Sequence, residues 1–483
     1  MRSRWTRALV LAALALLAGG LRWVGMELSL APGKLIGDEV YYAWVAGNIA
    51  RGRGHVFDAS PGFQPVALRP PAHAWALSLL TDSRAPLRRE EASKPERRLL
   101  AFQVVLGTTL VLLTAWLGEA LFDARTGLAA GLVAAVYPTF VAHSHYLWSE
   151  TFFAVLVTAA LVGVVTGERK PSAALAALTG LLFGVAALTR EIAIPIATVA
   201  GAWWLATAAP EGRRAALGRT ALMLATAALV VLPWTVRNTI ALGRMVPVAT
   251  IGWFAAAEGN ALDDEDWLHS ERPRMHFKAR YFEHGGEIER MDYAREQTLA
   301  MIRAGQPSWI GKKLVRNLAL LLRPDFVLFY KLTRGSYGDV RLGVVRSLLV
   351  ASVLAYLAVV VAGVLGMARA PGRGRRLLPW LVFATVAAVH VLSNATARYR
   401  MPWMPLLIVY ASHAAVGARR APRRLPRGSA AVAAAALLFF FGVGVPHFRA
   451  EATRLWLHGT APLEEPAHPD AAASGQPAPT RAP

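Results

Sequence analysis

The chain has 483 residues, of which 55% are hydrophobic and only 17% are charged, and its mean hydropathy is +0.38. A soluble protein of this length would carry more charge, so the repeated apolar runs indicate an integral membrane protein built from helices rather than a barrel. The net charge of +21 does not indicate nucleic acid, because most basic residues lie in short segments between apolar runs. The absence of cysteine excludes disulfides, thiolate metal ligands and a cysteine nucleophile.

The first apolar segment follows a basic start, as it would in a signal peptide, and 18–20 would be a poor cleavage site. The apolar run continues past Arg22 through 23–26, which makes it long enough to cross a bilayer. We therefore predict an uncleaved first span.

Hydropathy predicts an all-α polytopic membrane protein with about eleven transmembrane helices, in a range of about ten to thirteen. The fifth and sixth predicted helices are short and are separated by only a few residues. The predicted spans lie near 5–27, 99–121, 126–143, 150–167, 173–189, 192–209, 219–236, 344–367, 377–393, 402–418 and 429–447.

Basic residues are concentrated in alternate connections between these spans. Because cytoplasmic loops carry an excess of Lys and Arg, the pattern predicts a cytoplasmic N-terminus, with the other loops and the tail outside. The Arg- and Ala-rich, Lys-poor composition fits a GC-rich bacterial genome, so the expected location is a bacterial plasma (inner) membrane. The basic residues of the predicted cytoplasmic loops are Arg125, Arg169, Lys170, Arg213, Arg214, Arg219, Arg369, Arg373, Arg375, Arg376, Arg419, Arg420, Arg423, Arg424 and Arg427.

This topology divides the chain into the first transmembrane helix (1–27), a first extracytoplasmic loop (28–98), helices 2–7 (99–236), a large extracytoplasmic loop (237–343), helices 8–11 (344–447) and a tail (448–483). The tail is rich in Ala and Pro and is expected to be disordered.

Two stretches of the large loop have a distinct pattern. Residues 308–330 mix Lys312, Lys313 and Arg316 with leucines, which predicts a helix on the membrane surface with its apolar face down and its cations toward lipid headgroups. The acidic run 263–266 predicts a solvated helix start rather than a metal site.

We find no internal repeat, so a transporter built from inverted repeats has no support.

Asp38 and Glu39 form an acidic pair just after the first span. Adjacent carboxylates at a membrane surface are costly unless they are solvated or used. One of them could be a general base that removes a proton from an attacking hydroxyl. Alternatively, the pair could cap the helix that begins at Val40, since acidic residues are favoured at an N-cap and in the first turn.

The stretch after this pair reads as a short amphipathic helix that closes in Gly-x-Gly, followed by Arg-Pro-Pro. Together these features resemble the first extracytoplasmic loop of glycosyltransferase family 39, which includes protein O-mannosyltransferases and lipid A aminoarabinose transferases. Later stretches resemble further motifs of that family in the same order: Tyr137-Pro138 through Ser149-Glu150; Leu188-Thr189-Arg190 with Pro195; Pro233-Trp234-Thr235-Val236-Arg237-Asn238 with Gly243, Thr250, Gly252, Gly259 and Asn260; and Ala397-Arg398-Tyr399-Arg400-Met401-Pro402 with Pro405.

The resemblance implies the GT-C membrane fold, a sugar donor linked to polyprenyl phosphate, and Asp38 as the catalytic base. The acceptor is a hydroxyl of a lipid, a glycan or a protein. It attacks the anomeric carbon directly, and the configuration inverts. Polyprenyl phosphate is a reasonable leaving group if cations neutralise its developing charge, and guanidinium groups suit that task.

Several arginines at the predicted outer surface are candidates for substrate binding. Arg398 and Arg400, which flank Tyr399 in the same motif, are candidates for the phosphate, although both could instead snorkel to headgroups. Arg237 could bind substrate with Asn238 orienting it, or could stabilise a helix end. Arg69 could bind substrate or pair with a loop carboxylate.

Glu150 and Glu39 complete the predicted substrate-binding set. Glu150 with His143 and His145 offers a carboxylate and imidazoles that could hold a divalent metal, although two histidines at this spacing are more often polar residues of the surface. We predict no other cofactor. The alternative function is a transporter or flippase of a lipid-linked sugar, which would need ionisable residues buried within the spans. A non-catalytic membrane scaffold is a further alternative.

Overall fold

The computed structural model describes residues 4–30, 35–57, 66–82, 95–262, 271–324, 327–333, 337–338, 340–417, 427–444, 453 and 456–457. The acidic run 263–266 and nearly all of the predicted tail lie outside these residues. The α-helices are α1 (Arg4–Leu30), α2 (Asp38–Ala50), α3 (Ala72–Ser78), α4 (Arg97–Leu121), α5 (Ala124–Val136), α6 (Pro138–His143), α7 (Glu150–Arg169), α8 (Ala173–Ala187), α9 (Ala193–Thr207), α10 (Arg213–Leu242), α11 (Ile251–Asn260), α12 (Glu271–Glu283), α13 (Glu287–Ala304), α14 (Trp309–Leu322), α15 (Val327–Thr333), α16 (Leu342–Arg369), α17 (Arg373–Leu392), α18 (Met404–Gly417) and α19 (Arg427–Phe439).

The predicted all-helical, multi-pass architecture is confirmed, and each of the eleven predicted spans coincides with an apolar helix. In the part of the chain that the structure describes, six helices are long and apolar enough to cross a membrane, and five more apolar helices have 10–17 residues. The predicted third span is broken into α5 and α6 at Tyr137. That residue is extended because Pro138 disfavours a helical conformation in the residue before it.

The bundle is held together by close helix contacts at small residues. Gly366 of α16 lies so close to α18 that an added Cβ would be 2.0 Å from the carbonyl oxygen of Tyr410. Gly180 of α8 approaches α10 in the same way, at the carbonyl of Met223. Small residues at such crossings are how membrane helices gain packing contacts without a hydrophobic driving force between them.

The two ends of the bundle differ in their charges. At one end, basic residues of the predicted cytoplasmic connections contact neighbouring helix ends: Arg169 donates to the carbonyl of Leu121, and Arg219 to the carbonyl of Gly167. At the other end, the starts of α2 and α7 meet the turn after α8 and the short 3-10 helix Ala397–Arg400. The sidedness of the loops stays a prediction.

Helix α14 is amphipathic as expected, but its orientation is the reverse of the predicted one. Lys313 and Arg316 are buried, whereas Ile310 and Leu314 are about half exposed. The Lys313 ammonium donates to the carbonyl of Ser393 at 2.7 Å, just beyond the end of α17. Burial lowers the pKa of Lys313 to about 7. Lys313 is therefore turned inward, where its ammonium binds the backbone carbonyls of Gly259 and Ser393.

Candidate active site

Helix α2 begins with the acidic pair, and its first turn directs the two carboxylates to different surroundings. Gly37 precedes the helix with φ of +58°, a conformation that favours glycine. The Asp38 side chain is 19% exposed and faces a cleft, whereas Glu39 is fully buried. Asp38 does not act as the N-cap, since that position belongs to Gly37.

Two arginines from distant parts of the chain bind Asp38. Arg69 donates to Oδ1 at 2.7 Å, and Arg398 lies 3.0 Å from Oδ2. Burial opposes ionisation of this carboxyl, but Arg69, Arg398 and the nearby Arg190 outweigh that effect and lower its pKa to about 2. Asp38 is therefore held as a carboxylate.

Glu150, the first residue of α7, forms the second anionic part of the site. Arg190 lies 3.0 Å from its Oε1, and Nε of Arg398 lies 3.4 Å from the same oxygen. Arg190 also donates to Ser149, which in turn accepts a hydrogen bond from Tyr42. Through Arg398, the Asp38 and Glu150 carboxylates share one cation.

We call Asp38, Glu150, Arg69, Arg190 and Arg398 the ion cluster. Its three guanidinium groups and two carboxylates leave an excess of one positive charge. The three arginine side chains are 18–24% exposed, so solvent reaches the cluster, and its solvent-accessible side is here called the cleft.

Aromatic rings support the arginines of the ion cluster. The Arg398 guanidinium lies 4.7 Å from the ring centre of Trp148 and 5.3 Å from that of Tyr399. Arg190 also contacts the Tyr399 ring, at 5.1 Å. Cation–π contacts of this kind stabilise a guanidinium while leaving its N–H groups available for anions. Tyr399 itself stacks on His390.

Glu39 lies next to Asp38 in sequence but outside the ion cluster. Its carboxylate accepts hydrogen bonds from the backbone N–H groups of Ile36 and Leu147, both at 3.0 Å, and from Lys331 at 2.6 Å. Lys331 belongs to α15 and is 3% exposed, and burial lowers its pKa. Glu39 therefore caps the entry to α2 and joins α2 to the large loop.

Two of the predicted substrate-binding arginines make their contacts elsewhere. Arg237 donates to the carbonyls of Val66 and His55, so that it holds the first loop against α10. Arg400 is buried and donates to the carbonyls of Leu321 and Arg323. Both guanidinium groups thus bind backbone carbonyls of neighbouring segments and hold those segments in place.

The candidate metal ligands are not gathered into one site. Nδ1 of His143 lies 2.8 Å from the carbonyl oxygen of Thr139, and Nδ1 of His145 lies 3.4 Å from the Tyr337 hydroxyl. Glu150 faces arginines instead. Within the described ranges, no group of three or more His, Asp or Glu side chains is arranged to hold a metal ion.

Two cationic residues that form ion pairs with Glu150 and Glu39 are absent from the predicted set of site residues. Arg190 carried a signal, because it occupies the Thr-Arg motif and a turn on the same predicted side as Asp38. Lys331 carried none, since a single lysine in a long loop has no pattern that indicates burial against a carboxylate.

The middle of the chain matches a known protein family. Residues 68–236 match the family model described as dolichyl-phosphate-mannose-protein mannosyltransferase, and this segment contains Arg69, Glu150 and Arg190. Among curated proteins, none matches the chain.

Solved structures resemble most of the chain. The apo oligosaccharyltransferase of Archaeoglobus fulgidus aligns with a TM-score of 0.52 and 16% identity, over 96% of this chain and 57% of that one. The same enzyme tethered to an acceptor peptide gives 0.52 and 14%, over 96% and 56%. ArnT from Cupriavidus metallidurans bound to undecaprenyl phosphate gives 0.40 and 14%, over 95% and 92%. The chain thus spans little more than half the length of the oligosaccharyltransferase.

These findings confirm the resemblance in the sequence: residues 68–236 are similar to the dolichyl-phosphate-mannose-protein mannosyltransferase family, and the chain has a GT-C type of fold like that of the oligosaccharyltransferase.

Proposed function

We propose that this protein is an inverting glycosyltransferase that moves a sugar from a polyprenyl-phosphate donor to a hydroxyl acceptor. The observation that carries the proposal is the ion cluster, in which a partly exposed carboxylate lies among guanidinium groups. A general base and a phosphate-binding wall are the two elements that such a transfer requires. The family match over 68–236 supports the same conclusion.

The charge of the ion cluster favours a phosphodiester donor. A sugar linked to a polyprenyl monophosphate carries one negative charge, which would neutralise the excess positive charge of the cluster. Arg190 and Arg398 are the better candidates for binding the phosphate oxygens of the donor. Both contact aromatic rings and the Glu150 carboxylate, which hold the two guanidinium groups side by side. Arg69 is the better candidate for holding Asp38.

In the proposed reaction, Asp38 accepts the proton of the acceptor hydroxyl while the hydroxyl oxygen forms a bond to the anomeric carbon. The bond from that carbon to the phosphate oxygen breaks, and its electron pair stays on the phosphate. The arginines neutralise the charge that develops there. The predicted loop sidedness assigns this chemistry to the outer face of a bacterial plasma membrane, with a lipid, a glycan or a protein as acceptor.

One buried ionisable residue bears on the alternative of a transporter. Arg22 is fully buried within α1, but it donates to the carbonyls of Ala18, Ala134 and Ala135. These bonds tie α1 to the end of α5, which accounts for the charge structurally.

The test is sugar transfer by the purified full-length protein in lipid, with a panel of radiolabelled polyprenyl-phosphate sugars. We expect the wild type to consume one donor and Asp38→Asn to slow transfer by at least about a hundredfold. Asp292→Asn is the matched control, because Asp292 forms an exposed pair with Arg244. Full activity of Asp38→Asn would exclude the base role. A donor that crosses the bilayer unconsumed would support the carrier alternative.

A further inference from the structure

Asp38 is paired with arginine at both of its oxygens, and this is a poor arrangement for a general base. Arg69 occupies Oδ1 and Arg398 occupies Oδ2. A carboxylate held in two ion pairs binds a proton weakly, as its low pKa of about 2 indicates. The doubly paired Asp38 therefore represents a resting state, and one of these pairs has to loosen before Asp38 can take a proton efficiently.

The two arginines differ in how they are held. Arg69 lies over the rings of Tyr41 and Tyr42, which belong to the same helix as Asp38. Arg398 belongs to a different element, and it lies between the carboxylates of Asp38 and Glu150. Its guanidinium also lies 4.7 Å from the ring centre of Trp148 and 5.3 Å from that of Tyr399, so these rings hold it in addition to the two carboxylates.

We propose that Arg398 is the cation that changes partners during the reaction, so that the donor phosphate takes its guanidinium from Asp38 and thereby unmasks the base. The inference rests on the proposed function, because it requires a phosphate in the cleft. It assigns Arg398 a second catalytic role beyond charge neutralisation: donor binding and base activation become one event.

The charges balance at each stage of this exchange. In the resting state the ion cluster has one excess positive charge, and a phosphodiester neutralises it. Arg398 has by then moved to the phosphate, so Asp38 is free to take the proton of the acceptor hydroxyl and becomes neutral. At the same moment the sugar–phosphate bond breaks, and the phosphate gains a second negative charge beside Arg398. The positive charge lost from pairing with the base therefore balances the charge gained by the leaving group.

Competition for Arg398 has a measurable consequence. If Asp38 and phosphate share this cation, removing the Asp38 charge strengthens phosphate binding, and it does so only while Arg398 is present. We would measure binding of undecaprenyl phosphate to the full-length protein in lipid nanodiscs, for the wild type, Asp38→Asn, Arg398→Gln and the double variant. A double-mutant cycle isolates the coupling between the two side chains.

We expect Asp38→Asn to bind undecaprenyl phosphate roughly threefold tighter or more, and Arg398→Gln to bind it roughly tenfold weaker. In the Arg398→Gln background, Asp38→Asn is expected to have little further effect. Equal tightening in both backgrounds would show a general field effect and overturn the inference. If the folded wild type binds no undecaprenyl phosphate, the proposed function itself fails.

Thermal unfolding of each variant checks that it is folded. Should Arg398→Gln not fold, Arg398→Lys replaces it in the cycle. The ammonium keeps the charge but lacks the planar array of N–H groups that bridges two carboxylates. In the Arg398→Lys background, Asp38→Asn is then expected to tighten binding of undecaprenyl phosphate less than it does in the wild type. Equal tightening in the two backgrounds would overturn the role of the bridging guanidinium. Asp292→Asn again serves as the matched control, with unchanged binding.

Discussion

Asp38 and Glu39 show how neighbouring residues of one type acquire different chemistry. Successive residues in a helix point about 100° apart, so one carboxylate enters the cleft and the other enters the protein. Glu39 is matched by Lys331 and two backbone N–H groups, which leaves it no capacity for substrate. Asp38 keeps partial exposure, and among the described residues it forms ion pairs with Arg69 and Arg398. We therefore propose Asp38, rather than Glu39, as the base.

The pH dependence of transfer tests the role of Arg69. Asp38 acts as a base only when deprotonated, and its low pKa keeps it deprotonated throughout the neutral and mildly acidic range. Arg69→Met removes one of its ion pairs while Arg398, Arg190 and Glu150 remain. The Asp38 pKa should rise by about one unit or more, so kcat/KM should begin to fall at a higher pH.

The measurement is a profile of kcat/KM against pH between about pH 2 and pH 8, a range that includes both acidic limbs and reports groups of the free enzyme. Arg244→Met, which removes an exposed arginine, is the control and should leave the profile unchanged. An acidic limb in Arg69→Met that coincides with that of the wild type would contradict this account of the Asp38 environment.

Arg398 and Arg400 mark the limit of residue-level prediction. Both were predicted at the outer surface from the same motif, but they lie in a 3-10 turn, where residues two apart point about 240° apart. Arg398 consequently reaches Asp38, and Arg400 reaches the carbonyl of Leu321. Sequence indicated the motif, whereas the turn geometry determines which arginine faces the cleft.

The alternative considered for Arg69, a loop carboxylate as partner, matches its contact with Asp38.

At the scale of elements, the contact between α2 and α15 connects the first loop to the large loop. Lys331 lies 2.6 Å from Glu39, and its ammonium also lies 4.3 Å from the ring centre of Tyr146. Both charged side chains are almost fully buried. Breaking a buried pair by removing one partner costs about 3–5 kcal/mol, because the other charge is left uncompensated.

Lys331→Met should therefore lower the thermal unfolding temperature markedly. Glu39→Gln combined with Lys331→Met removes both charges and should recover part of the loss. Thermal unfolding of the detergent-solubilised variants gives the comparison, with Lys312→Met, a partly exposed lysine on α14, as the control. If Lys331→Met unfolds at the wild-type temperature, the pair does not stabilise the contact between these loops.

Helix α14 explains why an amphipathic pattern alone did not predict its orientation. The alternation of cations and leucines defines two faces but not the surroundings of each. An aqueous surface on one side was assumed, which places cations outward. In the structure the amide of Asn317 donates to the carbonyls of His390 and Val391, on the same inward face as Lys313. These partners belong to α17, so only the tertiary structure fixes the face.

For the whole molecule, hydropathy identified the helices well because it depends on local composition. Every predicted span has an apolar helix at its position. The assembly of Asp38, Glu150 and Arg398 could not be obtained in this way, since these residues come from elements far apart in the chain. The resemblance to family 39 indicated that their motifs belong together, but their distances and the shared arginine required the fold.

Orientation in the membrane is a property of the whole molecule, and the absence of cysteine allows a direct test. Ala209 ends the sixth predicted span on its predicted cytoplasmic side, Gly285 lies in the large loop that is predicted to be outside, and both are exposed. In intact cells, a membrane-impermeant maleimide should label Gly285→Cys but should label Ala209→Cys only after the membrane is permeabilised. The unaltered chain is the control, because it has no thiol. Labelling of Ala209→Cys alone in intact cells would reverse the predicted orientation and place the ion cluster on the cytoplasmic face.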